Sequence, residues 1–102
     1  MKYNEYLEKH KVSSAYSFIE HFNVRETVYY VRVLERLGIK ELQEMRIRTL
    51  YNDLLIGVLE SKQAMCVFKT TAPLVFKDRK EALKAYNAIK VPKVTFTKET
   101  NE

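Results

Sequence analysis

The sequence predicts an α+β fold in a single domain, with a helical N-terminal half packed on a small C-terminal β(β)αβ unit. Three observations predict it. Residues 40–61 place Ile47, Leu50, Tyr51, Leu54, Leu55, Val58 and Leu59 at the i, i+3, i+4, i+7 spacing of an amphipathic helix. After Ser61 the pattern changes to short runs rich in Val and Phe, the mark of strands. The charge divides at the same point. Residues 1–61 hold nine Lys/Arg and nine Asp/Glu, whereas residues 62–98 hold nine basic residues against Asp78 and Glu81 alone, a net of +7.

The elements follow in order. Residues 3–10 form a short helix with Tyr3, Tyr6 and Leu7 on one face. Ser13 caps a second helix, 13–22, whose apolar face is Ala15, Phe18, Ile19 and Phe22. Asn23 and Glu26 have the spacing of a capping box, which opens a third helix from 24 to 37. Gly38 then sits where a left-handed residue ends a helix. The first of these pairs, 13–22 and 24–37, has the outline of a helix-turn-helix. A long core helix spans 40–61; Ile56 and Gly57 lie off its stripe and leave open a second reading, in which the helix ends near Asn52 and Asp53 and 54–60 is a strand. Residues 64–69 and 74–77 read as strands. Asp78 and Glu81 repeat the capping-box spacing and open a helix to about Ile89. Val94 and Phe96 alternate in a last strand, 94–98, which the order of elements makes parallel to 74–77. The tail, 99–102, is frayed.

Composition narrows the function classes. A chain of 102 residues with 46% hydrophobic and 30% charged residues has the makeup of a globular protein. Its single cysteine excludes an internal disulfide and fits a reducing cytoplasm. The first residues, MKYNEYLEKHK, are charged throughout and lack the apolar core of a secretory signal. No apolar run approaches the ~20 residues of a membrane helix. His10 and His21 have no partners at metal-ligand spacing, and no glycine-rich phosphate loop or nucleophile elbow is present, so the expectation is a non-enzymatic protein without metal or cofactor. Cys66, in an apolar strand, is expected to be buried and inert.

Two surfaces carry the functional expectation. On a helix over 24–37, Arg25, Tyr29, Arg32 and Arg36 fall at i, i+4, i+7 and i+11, a basic stripe with an aromatic in it. Arg suits bidentate contact with guanine edges or phosphate. A solvated helical face is the competing reading of that stripe. Of the adjacent Tyr29 and Tyr30, Tyr29 is expected to be the exposed one. Lys77, Arg79, Lys80, Lys84, Lys90 and Lys93 form the second surface, able to hold phosphates without regard to sequence. Phe68, Phe76 and Phe96 beside these lysines could stack single-stranded bases or could be core residues. The leading expectation is therefore a small cytoplasmic protein that binds DNA or RNA in a regulatory role, as a homodimer if it reads duplex DNA. The rival is an inhibitor or adaptor that docks its basic and Tyr-rich surfaces on an acidic protein partner.

Overall fold

The structure, a computed structural model, describes residues 1–10, 17–69 and 74–92. Its centre is one five-stranded antiparallel sheet in the order β4-β3-β2-β1-β5. The strands are β1 (Thr27–Leu34), β2 (Ile39–Leu50), β3 (Leu54–Leu59), β4 (Ala64–Phe68) and β5 (Val75–Phe76). The first four form a meander, and β5 returns to the far side to pair with β1. Among the described residues three helices accompany them: α1 (Tyr3–His10), α2 (Phe18–His21) and α3 (Arg79–Ala88).

The expected helical half is thus mostly sheet, and its long core helix does not exist. Residues 24–37 become a turn, β1 and a single 3-10 turn, Glu35–Leu37. The sequence of β1, TVYYVRVL, is built of β-branched and aromatic side chains, which pack well on a pleated surface and lose rotamer freedom in a helix. Residues 40–61 become β2, a turn and β3. Along Glu44-Met45-Arg46-Ile47-Arg48 burial alternates, with Met45 and Ile47 buried and the three charged residues exposed. That alternation is the strand period, and the helical spacing of the aliphatic residues arises because two strands are read through one turn. The alternative strand at 54–60 is the part of that segment that stands. With these helices gone, the helix-turn-helix outline is gone too.

Several local signals keep their chemistry in a different setting. The Glu26 carboxylate does accept from the Asn23 N–H, at 2.9 Å. It closes a turn rather than a helix, since the Glu26 N–H donates to the Asn23 carbonyl at 3.1 Å. Gly38 is left-handed, at φ 64 and ψ 28. It ends the 3-10 turn of the β1–β2 hairpin instead of a long helix. The helices α1 and α3 lie where the sequence puts them, and Asp78 caps α3 by accepting from the Lys80 N–H at 3.1 Å. Strands β4 and β5 also match. The expected strand 94–98, its parallel pairing and the tail 99–102 lie outside the described residues. The sheet they were meant to join is not a separate C-terminal unit, because β5 pairs with β1, antiparallel.

Register decides which residues share a side. On one side stand Val28, Tyr30, Met45, Ile47, Leu55, Val67 and Val75, covered by Phe18 and Phe22 of the α2 segment. The two Phe rings meet edge to face at 5.9 Å. On the other side Tyr29, Val31, Val33, Leu42 and Phe76 pack with Tyr6 of α1 and with Ala82, Ala85 and Ile89. Adjacent tyrosines on a strand point to opposite sides, and both sides are covered here. Tyr29 is consequently half-buried rather than exposed, and Tyr30 is buried.

Gly57 shows how closely β2 and β3 pack. A Cβ there would stand 2.6 Å from the Met45 sulfur and 2.9 Å from its Cγ. The missing side chain is what lets Met45 lie flat across the buried side of the sheet. Gly57→Ala is expected to destabilise the fold by about 1–3 kcal/mol, the range for overpacking. Urea unfolding measures it, and combining it with Met45→Ala should cost less than the two singly, because the clash is then removed.

Candidate nucleic-acid interface

The helix α3 packs over β5, β1 and β2. The same side of β3 and β4 has no such cover among the described residues. There the register aligns Leu54 with Phe68, Ile56 with Cys66, and Val58 with Ala64, and Arg46 stands beside Val58. Phe68 is 51% exposed, and Ala64 and Cys66 are exposed as well. Their neighbours across the pleat, Leu55 and Val67, are completely buried. The contrast between alternate residues of one strand identifies an open quarter of the sheet face. Cys66 lies on it, which corrects the expectation of a buried thiol: the strand was read rightly, but the side it presents depends on pairing.

Cations border this quarter. Arg46 is exposed, and its Nε donates to the Arg25 carbonyl at 3.2 Å, so Arg25 and Arg46 stand together at one rim. Arg25 is itself exposed and left-handed, at φ 78. Its N–H donates to the Ile47 carbonyl at 2.8 Å, and the Ile47 N–H donates to the Glu26 carbonyl at 2.9 Å. Two residues of one strand thereby face one residue of the other, a bulge that usually takes glycine in the left-handed position. A second bulge, at Arg48, shifts the β2–β3 register between Ile47 and Thr49 and leaves Arg48 exposed.

Further cations lie on α3, over the β5–β1–β2 half of the same side. Arg79, Lys80 and Lys84 are all exposed. Lys84 meets Glu81 at 3.8 Å with both side chains largely in water, an ion pair of little strength. Lys90 is exposed just beyond the helix. Close to it, Lys40 docks the end of α3: its Nζ donates to the Ile89 carbonyl at 2.9 Å and lies 4.3 Å from the centre of the Tyr86 ring. Partial burial, and secondarily the Lys90 charge, push the Lys40 ammonium below the usual lysine range.

The residues expected from the sequence therefore divide. Arg79, Lys80 and Lys84 lie exposed on α3 and Lys90 just beyond it by Lys40, whereas Arg25 stands with Arg46 at the other end of the β1–β2 ladder. Arg32 does not. It stands on the opposite side from Tyr29, because their separation of three is odd on a strand, and it is paired with Glu41 at 3.0 Å. Lys77 is directed toward α2, 3.8 Å from Glu26 and 5.7 Å from the centre of the Phe22 ring. Arg36 is exposed on the 3-10 turn, and Tyr29 is packed under the helices. The four do not form a stripe. Lys93 lies outside the described residues. Arg46 and Arg48 were missed, and the alternating charges at Glu44, Arg46 and Arg48 were the available signal; of the two readings of the Phe residues, Phe68 is exposed and Phe76 is packed in the core.

Among the described residues no three His, Cys, Asp or Glu side chains gather at a possible metal site. No helix there is long and apolar enough to cross a membrane.

Arg25→Gly separates the two roles of that residue. Relief of the left-handed backbone should stabilise the fold by about 1 kcal/mol. Loss of the cation should weaken binding of any polyanion at this rim. Thermal unfolding and a binding titration on the same protein read the two effects in opposite directions. Compared with known protein families, with curated proteins and with solved structures, the chain matches none of them.

Proposed function

We propose that this is a small, non-enzymatic, cytoplasmic protein that binds single-stranded RNA or DNA on the side of the sheet that carries α3. One observation carries the reading: an exposed aromatic on an open sheet face, Phe68, with Arg46 and its neighbour Arg25 beside that face and further exposed cations, Arg79, Lys80 and Lys84, on the helix of the same side. A flat ring offers every base a stacking surface, and the flanking cations hold the backbone phosphates. Single strands are favoured over duplex because the exposed aromatic stands on an open sheet, which can receive unstacked bases. The expectation of a reducing cytoplasm rests on the single cysteine.

The apolar tract Leu54, Ile56, Val58 and Ala64 favours a second reading, an acidic protein partner. An apolar centre with a charged rim is also the anatomy of a protein interface.

Fluorescence anisotropy with short homopolymer RNA and DNA distinguishes them. At about 50 mM salt the protein should bind, and affinity should fall steeply as salt rises. Changing Lys80 and Lys84 together to Ala should flatten the salt slope by about 1–1.5, since each phosphate contact on a single strand contributes about 0.7. Phe68→Ala should cost about 1–3 kcal/mol, the value of a stacked base, without changing the slope. No binding of any single strand at that salt would sink the nucleic-acid reading. A nuclease-resistant complex with an acidic protein would replace it with the second.

A further inference from the structure

Strand β4 is one edge of the sheet, and its hydrogen-bonding pattern shows what that edge presents. The Leu59 N–H donates to the Gln63 carbonyl and the Lys69 N–H donates to the Asp53 carbonyl, both at 2.9 Å. With Leu55 opposite Val67 and Gly57 opposite Met65, the inward-bonded positions are the odd-numbered ones. Ala64, Cys66 and Phe68 accordingly turn their N–H and C=O groups outward, where no hydrogen-bond partner is found among the described residues. Edge strands are normally guarded by a charge, a proline, a bulge or extreme shortness. Ala64-Met65-Cys66-Val67-Phe68 has no charge and no proline, and its register is unbroken. The opposite edge, β5, is only two residues long.

We propose that β4 is a homodimer interface, at which a second copy of this chain pairs antiparallel about a two-fold axis at Cys66. The five residues are symmetric about that centre. Cys66 then faces its own copy, Ala64 faces Phe68, and Met65 faces Val67. The outward-turned groups at positions 64, 66 and 68 of both chains satisfy one another. No other symmetric register uses all five residues. It sets the large Phe68 side chain beside the small Ala64, and it places Lys69 opposite Gln63 rather than against a like charge. The axis runs perpendicular to the sheet, so the two open faces lie on the same side of a ten-stranded sheet and stay uncovered. A five-residue edge buries far less than the about 1,600 Å² of a standard interface, so the dimer is a weak, concentration-dependent one. This inference does not depend on what the open face binds.

The geometry gives a direct probe. In a hydrogen-bonded antiparallel pair the facing Cα atoms are about 5.5 Å apart, within the range that a disulfide spans. Full-length protein is kept in reductant and examined by analytical ultracentrifugation from about 1 μM to 1 mM, the span of weak association constants. A reversible monomer–dimer equilibrium is expected. Mild oxidation with diamide at the dimeric end should give a covalent dimer through Cys66, and Cys66→Ser should form the non-covalent dimer without the crosslink. Cys66→Lys brings two like charges onto the axis at an exposed position. It should weaken association at least tenfold while the circular dichroism spectrum stays unchanged. Protein that is monomeric over the whole range overturns the proposal. So does a dimer that survives Cys66→Lys unchanged, or one that oxidation fails to link.

Discussion

The unbroken antiparallel ladder between β1 and β2, from Thr27 opposite Arg46 to Leu34 opposite Ile39, is the constraint on which the rest of the molecule depends. Side chains alternate along a strand, so this one register assigns a side to every residue of both strands, and a slip of one residue would reverse all of them. The 3-10 turn and left-handed Gly38 hold one end of the ladder. The Asn23–Glu26 turn, bonded to Ile47, holds the other. From β1 the register passes to β5, and from β2 through β3 to β4. The placement of Phe18 and Phe22 under one side and of α1 and α3 over the other follows from it.

Coverage of the two sides is unequal. A short helix of four residues suffices on one side because its two Phe rings reach into a continuous apolar layer that includes Met45, Leu55 and Val67. On the other side two longer helices cover only the β5–β1–β2 half. The remainder is left with Leu54, Ile56 and Val58 half-buried and with Phe68 exposed. Such a surface is costly to leave in water and is the natural place for a partner. Arg46 beside it and the exposed cations of α3 on the same side make the local field positive.

Charge along the chain and charge in space are different quantities. Four of the nine basic residues of 62–98, Arg79, Lys80, Lys84 and Lys90, are exposed on α3 or just beyond it. In the neutral half, Arg32 is drawn to Glu41 across the ladder, while Arg46 reaches the Arg25 carbonyl. An apparent stripe of four residues thus becomes one paired cation, one turn cation, one loop cation and a packed tyrosine. The separation of three between Tyr29 and Arg32 keeps residues together on a helix and sends them apart on a strand.

By itself the sequence determined what depends on near neighbours. The helix at 3–10, the Asp78 cap and the helix after it, the strands at 64–68 and 75–76, and the left-handed Gly38 were all readable, because a cap, a turn or a short β-rich run is settled within a few residues. The tertiary structure alone decided the rest. Aliphatic residues over 40–61 satisfy a helical period as well as two strands, and only the alternation at Glu44–Arg48, reinforced by pairing with β1, selects the strands. Whether Cys66 and Phe68 face core or water is not a property of β4 at all. It depends on the partner strand and on how far α3 reaches across the sheet, and those are contacts made between residues distant in the chain.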